Sequence, residues 1–235
     1  MNFEGLDGAD LANVRSLNRA FLDAQEGVSA RRDGATARIA SRIGTLDGER
    51  RSRLARCPFL LFSLTRNCEP GWHALFVGER APGLLRALEP VDDRLSRLAT
   101  AAVGFLWQLA RRNIYAARLV SGATISWCEN MAEATLVDLF EFADREPALI
   151  SAMRAGDQKF WDKLLDAGTR DDPGVRRAAR LSALQMILTA SATERMQRLP
   201  SAACSFPAPV SVSSPRGYNT RPDESADHQK PQEDL

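Results

Sequence analysis

Histidine and lysine are both scarce in this chain of 235 residues. The only histidines are His73 and His228, which argues against histidine-rich zinc sites and two-histidine metalloprotease motifs. Three of the 31 basic residues are lysine (Lys159, Lys163 and Lys230), so 31 − 3 leaves 28 arginines. Because most nucleophilic hydrolases need a histidine base, hydrolase-type chemistry at His73 is the one enzymatic alternative. We predict that the protein is not an enzyme.

Other familiar motifs are also missing. The four cysteines form no CxxC pair and no glycine-rich phosphate loop occurs, so we predict no metal and no cofactor. The most apolar short run, residues 59–62, is far too short to cross a bilayer, and the chain starts without the features of a secretory signal. We therefore predict a cytoplasmic protein that does not bind membranes, and no small-molecule substrate is evident.

What the sequence does contain is helical periodicity, which predicts an all-α, mainly helical fold. Apolar residues recur at spacings of three and four in four segments, which predicts helices over about 11–22, 95–120, 133–144 and from 172 onward. Asp10 is the expected cap of the first and Gly122 the expected stop of the second. The few strand-like segments are residues 59–64 and 149–153.

The clearest feature is an internal duplication. Shifting the chain by 161 − 72 = 89 positions places Trp72 on Trp161, and two apolar neighbours of each tryptophan match in the same register. The match needs a gap between about residues 24 and 50. We predict a first helical unit at 1–88, a second at 89–170, a C-terminal helix at 171–198 and a disordered, proline-rich tail at 199–235.

The duplicated Trp-x-x-Leu-apolar elements have two interpretations. Large aromatic side chains at helical spacing are typical of a repeated core anchor, which we favour. The alternative is a ligand or partner pocket floored by both tryptophans. The anchor residues are Trp72, Leu75, Phe76, Trp161, Leu164 and Leu165.

Basic residues are concentrated in the first unit, where ten arginines lie between Arg15 and Arg56. Ala40 and Gly44 have the spacing at which a helix-turn-helix motif needs a small residue and then a turn. This pattern predicts contact of the segment with DNA phosphates or guanine edges, and the alternative is a solvated basic helix face. The candidate DNA-binding residues are Arg38, Arg42, Arg50, Arg51 and Arg53.

Each half also resembles the flagellar master transcription regulator FlhD in the order of its features. In the second half an apolar helix comes first, with Leu106 and Leu109, and an Ala-Arg-Leu-x-x-Gly turn follows, with Ala117, Arg118, Leu119 and Gly122. A leucine-rich helix is next, with Leu136, Leu139 and Ala143. The last feature is an apolar segment with one basic residue, formed by Leu149, Ile150, Met153 and Arg154. The first half has Leu54, Ala55, Phe59, Leu61, Phe62, Leu64 and Arg66 in the corresponding region.

The resemblance implies an all-helical fold that pairs with copies of itself. It also implies a role in transcription activation with a second subunit, which contributes zinc and much of the DNA contact. A tandem pair in one chain would mimic the dimer of that family. This chain departs from it by fusing two units, by its helix after Pro173 and by its long tail.

The patterns together predict a regulatory or binding protein that acts in transcription with a partner protein or a second copy of itself, and that contacts DNA. The alternative is a protein–protein adaptor without DNA contact.

Overall fold

The computed structural model describes residues 6–25, 34–66, 68–78, 93–146 and 148–197, and the tail predicted to be disordered lies outside them. Ten helices and two very short strands form within these residues, which confirms the mainly helical fold class. The elements are α1 (Gly8–Ala24), α2 (Ala35–Gly44), α3 (Gly48–Ala55), β1 (Phe62–Ser63), α4 (Glu69–Val77), α5 (Asp93–Arg112), α6 (Ile114–Ser121), α7 (Ile125–Glu133), α8 (Leu136–Arg145), β2 (Ser151–Ala152), α9 (Gln158–Asp166) and α10 (Pro173–Gln197).

The two strands relate the halves of the repeat to each other. They pair antiparallel, with Phe62 opposite Ala152 and Ser63 opposite Ser151. Because 62 + 89 = 151 and 63 + 89 = 152, each strand residue faces the repeat equivalent of its neighbour. Such reciprocal pairing is what a two-fold axis between like units produces. The duplication therefore builds a pseudo-two-fold pair inside one chain.

The helices keep the same offset. Adding 89 to the bounds of α2 gives 124–133, against 125–133 for α7, and adding 89 to α4 gives the bounds of α9. The same sum places α3 at 137–144, inside α8. The predicted gap between residues 24 and 50 is therefore wrong for residues 34–50, where side chains have diverged while the helix positions have not.

Three predicted helix boundaries need correction, each for a capping reason. Helix α1 begins at Gly8 rather than near Leu11, because Asp7 is the N-cap and Asp10 completes a capping box from inside the helix. The helix predicted over 95–120 is interrupted at Asn113, whose side chain accepts a hydrogen bond from Ala116 N at 3.0 Å and starts α6. Gly122 ends α6 with φ +68°, as predicted.

The helix predicted over 133–144 is in fact the end of α7 followed by α8. Thr135 caps α8 by accepting a hydrogen bond from Asp138 N, so the chain turns at residues 134–135. The buried residues of α8 are Leu139, Phe142 and Ala143. The spacing of Leu136, Leu139 and Phe140 would place all three on one apolar helix face, but Phe140 remains 37% exposed.

Both halves share one hydrophobic core. Helices α1 and α5 contribute repeat-equivalent buried pairs: Val14 with Val103 and Leu17 with Leu106. Helices α1 and α5 pack against each other as well as against helices of their own halves, so part of each apolar stripe is covered by the other half. Among the described helices, none is long and apolar enough to cross a membrane.

Helix α10 follows the second half and has no counterpart after the first in the described residues. Asp172 starts it by accepting hydrogen bonds from Gly174 N at 2.7 Å and Val175 N at 3.3 Å, as the sequence predicts. Its buried residues include Ala183 and Ile187, which join the common core. Helix α10 thereby brings its own arginines against the first half of the chain.

Candidate functional site

Helices α2 and α3 form the helix–turn–helix connection that the sequence indicates. Ile39, Ala40 and Ile43 are buried, and α2 ends at Gly44. The second helix begins at Gly48, because Asp47 caps it by accepting a hydrogen bond from Arg50 N at 2.7 Å. The five arginines predicted to contact DNA lie on these two helices.

Two of these arginines form ion pairs within the protein. Arg42 bridges from α2 to Asp162 and, at 2.8 Å, to Asp166 of α9 in the other half. Arg53 contacts Glu49 and Asp171, and hydrogen bonds to Glu49 are the main cause that raises its pKa. Carboxylates therefore neutralise the two guanidinium groups.

The other three predicted arginines differ among themselves. Arg50 lies 3.6 Å from a carboxylate oxygen of Asp47, and its side chain is 59% exposed. Arg51 donates to the carbonyl oxygen of Gly44 at 3.2 Å and is half-buried. Arg38 is exposed on α2. The predicted DNA-binding set thus supplies exposed charge mainly from Arg38 and Arg50.

A second set of arginines converges where α1, the segment after α3 and the start of α10 meet. We call this concavity the arginine groove; its volume is about 620 Å³. No aspartate or glutamate is among the described residues that line it. The lining arginines are Arg15, Arg56, Arg176, Arg177 and Arg180.

The groove arginines divide into fixed and free side chains. Arg176 donates to the carbonyl oxygens of Arg170 and Asp171 at 2.6 Å, and Arg180 donates to the carbonyl of Arg53 at 2.7 Å. These bonds to neutral carbonyls hold the guanidinium groups in place without cancelling their charge. The other three groove arginines are exposed and make no ion pair with a described carboxylate; they are Arg15, Arg56 and Arg177.

The carboxylates nearest in sequence are already used for structure. Asp10 is 5% exposed and binds Arg112, and Asp7 is the N-cap of α1. Asp171 pairs with Arg53, while Asp172 caps α10. These carboxylates therefore do not pair with the groove arginines, and such unpaired positive charge attracts anions less strongly as salt concentration rises.

The groove also has an apolar component. Leu11 is 42% exposed and Leu181 is 56% exposed, and both line it. Cys57 lies in its wall, where burial raises the pKa of the thiol to about 12 although the nearby Arg180 acts in the opposite direction. A protonated thiol is a poor nucleophile, so this arrangement suits binding rather than covalent chemistry.

The duplicated tryptophans occupy equivalent positions. Trp72 Nε1 donates to the carbonyl of Leu64 and Trp161 Nε1 to that of Met153, both at 2.7 Å. Acceptors and donors both differ by 89 positions, and both indoles are almost fully buried. Leu164 and Leu165 are also buried, whereas Leu75 and Phe76 are half-buried against the core.

His73, the residue of the enzymatic alternative, is exposed on α4. Burial, followed by Glu146, raises the pKa of the neighbouring Cys68 to about 11, and burial raises that of Cys128 to about 11. In the part of the chain that the structure describes, no group of histidine, cysteine and carboxylate side chains is arranged to hold a metal ion.

Sequence reasoning did not identify the arginine groove. Arg15 and Arg56 belong to the basic stretch that it noted, but Arg176, Arg177 and Arg180 lie more than a hundred residues later. The spacing of these three arginines predicts that they lie on one side of α10. The neighbouring sequence, however, does not indicate which helix packs beside that side. No protein-family model matches the chain, and neither a curated protein nor a solved structure matches it.

Proposed function

We propose that this chain is a non-enzymatic regulatory protein that acts as an adaptor, binding an acidic, leucine-containing segment of a partner protein in the arginine groove. The observation that carries the proposal is the convergence of five arginines and two exposed leucines in one concavity without a lining carboxylate. Carboxylates of the partner would meet the guanidinium groups in forked pairs, and its apolar side chains would cover Leu11 and Leu181.

The exposed leucines favour a protein segment over duplex DNA at this groove. A duplex offers phosphates to arginine, but its backbone offers no apolar side chains to cover Leu11 and Leu181. The raised pKa values of the Cys57 and Cys68 thiols and the exposed position of His73 on α4 favour a binding role over catalysis. Replacement of His73 by alanine is expected to leave cellular phenotypes intact, and a lost phenotype would support the enzymatic alternative.

The second candidate function is transcription regulation through DNA contact, as the resemblance to FlhD implies. Exposed Arg38 on α2 and Arg50 on α3 favour it, because both lie on the helix–turn–helix segment. This candidate places DNA on a surface other than the groove. Variants of the two surfaces can therefore separate the candidates.

The test uses the full chain with two double charge reversals of equal net charge, R15E/R177E in the groove and R38E/R50E on α2 and α3. Fluorescence anisotropy follows a labelled peptide that alternates glutamate and leucine, and a gel shift follows genomic DNA fragments. We expect groove reversal to weaken peptide binding about ten- to hundred-fold, and R38E/R50E to change it less than about two-fold.

Equal peptide affinity in the wild type and R15E/R177E would contradict the adaptor function. Salt-sensitive DNA binding that R38E/R50E removes and R15E/R177E retains would establish the second candidate instead. Circular dichroism of each variant checks that the helices are intact. Affinity purification of the full chain from its host then identifies the partner, and the two variants show which surface captures it.

A further inference from the structure

One side of the arginine groove is a single face of α1. The residues of α1 that line it recur at spacings of three and four, which places them on one side of the helix. Two of the four are small, and a Cβ atom added at Gly8 would meet no other atom within 4 Å. Because small side chains let two backbones approach closely, this face can accept another helix at the usual separation of about 8–10 Å. The four residues are Gly8, Leu11, Ala12 and Arg15.

Helix α10 borders the groove with a similar face. An exposed leucine, Leu181, follows the exposed Arg177 by one turn, so α10 offers the same leucine–arginine pair as α1. Helices α1 and α10 make few direct contacts with each other, so a gap remains between them. The remaining lining residues come from the segment after α3, where Cys57 is buried and Pro58 half-buried. The groove thus has two helix faces with apolar and basic side chains along its length.

The groove offers no strand edge that a partner could extend. None of its described lining residues belongs to β1 or β2, and these two strands pair with each other. A peptide that binds as an added strand gains affinity from main-chain hydrogen bonds to such an edge, whereas an amphipathic helix binds through side chains at helical spacing. The arginines and exposed leucines of the groove provide side-chain contacts, which favour a helical partner.

We propose that the partner segment binds the arginine groove as an amphipathic α-helix, with leucines along one stripe and carboxylates on both flanks of that stripe. This inference rests on the proposed adaptor function and specifies the conformation of the partner. The leucine stripe packs on Leu11 and Leu181, close to the small side chain of Ala12. Because five arginines and no described carboxylate line the groove, acidic flanks match it in charge. The α1 face is about 10 Å long and accepts about two turns of the partner helix.

The test compares labelled peptides of equal length on the full chain by fluorescence anisotropy. The helical peptide repeats Leu-Glu-Glu-Leu, which places its leucines along one helix face. The alternating peptide has the same composition in strict Glu-Leu alternation, which distributes the leucines around a helix. The proline peptide replaces one central glutamate of the helical peptide by proline, which removes a helix hydrogen bond and keeps every leucine. A fourth peptide with alanine at that glutamate is its control, because it loses the same charge.

We expect the helical peptide to bind at least about ten-fold more tightly than the alternating peptide, and the proline peptide at least about ten-fold more weakly than its alanine control. Because short helices are marginal in water, the helical peptide should gain helix on binding. The circular dichroism of the complex should then exceed the sum of the separate spectra.

A bulky side chain on the α1 face tests the close approach of the partner helix. Ala12→Trp should weaken binding of the helical peptide about five-fold or more. Ala20→Trp is the matched control, since Ala20 is also exposed on α1 but does not line the groove, and it should leave the affinity unchanged. Equal affinities of the two variants would overturn the proposed packing.

Failure of this inference differs from failure of the adaptor function. If no peptide binds, or if R15E/R177E binds every peptide as tightly as the wild type, the adaptor function itself is wrong. If R15E/R177E weakens all peptides but the helical, alternating and proline peptides bind equally, the adaptor function stands and the helical partner is overturned. A dimer of the full chain that R15E/R177E converts to a monomer in light scattering would also overturn it, because a second copy then occupies the groove.

Discussion

The two halves of the chain have helices and strands at equivalent positions but different residues on their surfaces. Each half ends its strand segment with an indole–carbonyl bond of 2.7 Å, from Trp72 in the first and Trp161 in the second. Both tryptophans are almost fully buried, at 2% and 1% exposure. The shared indole bonds thus maintain the fold, whereas α10, which has no counterpart after the first half in the described residues, supplies three of the five arginines of the arginine groove.

The halves also differ in the side chain that links the first long helix of each half to a neighbouring backbone segment. Asn18 is completely buried; its Oδ1 accepts from Leu61 N at 2.8 Å and its Nδ2 donates to the carbonyl of Phe59 at 2.9 Å. The repeat equivalent, 18 + 89 = 107, is Trp107, which donates to the carbonyl of Ala134. A polar bridge inside one half therefore corresponds to an aromatic one in the other.

The largest expected effect comes from removing either buried tryptophan. Trp161→Ala should lower the free energy of unfolding by about 3–5 kcal/mol, since it creates a cavity and leaves the carbonyl of Met153 unpaired. Trp72→Ala should cost about as much, because Trp72 is 2% exposed and its indole makes the equivalent hydrogen bond to the carbonyl of Leu64. Urea denaturation followed by circular dichroism measures both. A much smaller loss for either variant would contradict the equivalent anchoring role of the two tryptophans.

Asn18→Leu should come next, with a loss of about 2–3 kcal/mol, because the backbone groups of Phe59 and Leu61 would lose their buried partner. The comparison is Trp107→Phe at the equivalent position, which removes one hydrogen bond from a half-buried ring and should cost about 1 kcal/mol. The same denaturation measurement applies. A neutral Asn18→Leu would show that packing, not the polar bridge, fixes residues 59–61.

Two glycines that end helices sharpen the contrast further. Gly78 ends α4 with φ +76° and open space around it, so Gly78→Ala should cost about 1 kcal/mol for the backbone alone. Gly122 ends α6 with φ +68°, and an added Cβ would lie 2.6 Å from Ile187 Cγ2. Gly122→Ala should therefore cost about 2 kcal/mol, as seen in the thermal midpoint. Equal decreases of the thermal midpoint in the two variants would mean that Ile187 of α10 moves away from the added methyl group without a loss of stability.

The smallest expected effect concerns the ion pairs between the halves. Arg42→Ala removes the contacts of α2 with Asp162 and Asp166 of α9, which are substantially exposed. We expect a loss of about 0.5 kcal/mol at low salt that largely disappears at about 1 M salt. Denaturation at two salt concentrations provides the check. A loss that is independent of salt would assign the effect to packing of the arginine stem.

Much of the frame could be predicted from sequence because it depends on local signals. Apolar spacing indicates the helices, Gly122 and Asp172 mark helix ends, and the tryptophan match fixes the offset of 89. The break at Asn113 was missed because apolar periodicity continues on both sides of it. The exposure of Phe140 was missed because period alone does not say which edge of a face a neighbouring helix covers.

The candidate site depends on information that is not local. The arginine groove exists because α10 lies beside α1, which brings Arg177 near Arg15 across 162 positions (177 − 15). Sequence patterns instead indicated Arg42 and Arg53, which form ion pairs with Asp162 and Asp171.

The reciprocal pairing of β1 with β2 has a consequence for how the protein is made. Phe62 cannot meet Ala152 until the ribosome has released residues 90 positions later (152 − 62), so the first half emerges with an unpaired strand edge and an uncovered apolar face. Two chains that exchange halves would form the same pairs between them, as in domain swapping. We therefore expect refolding at high protein concentration to yield an exchanged dimer, and dilute refolding the monomer, as resolved by size-exclusion chromatography.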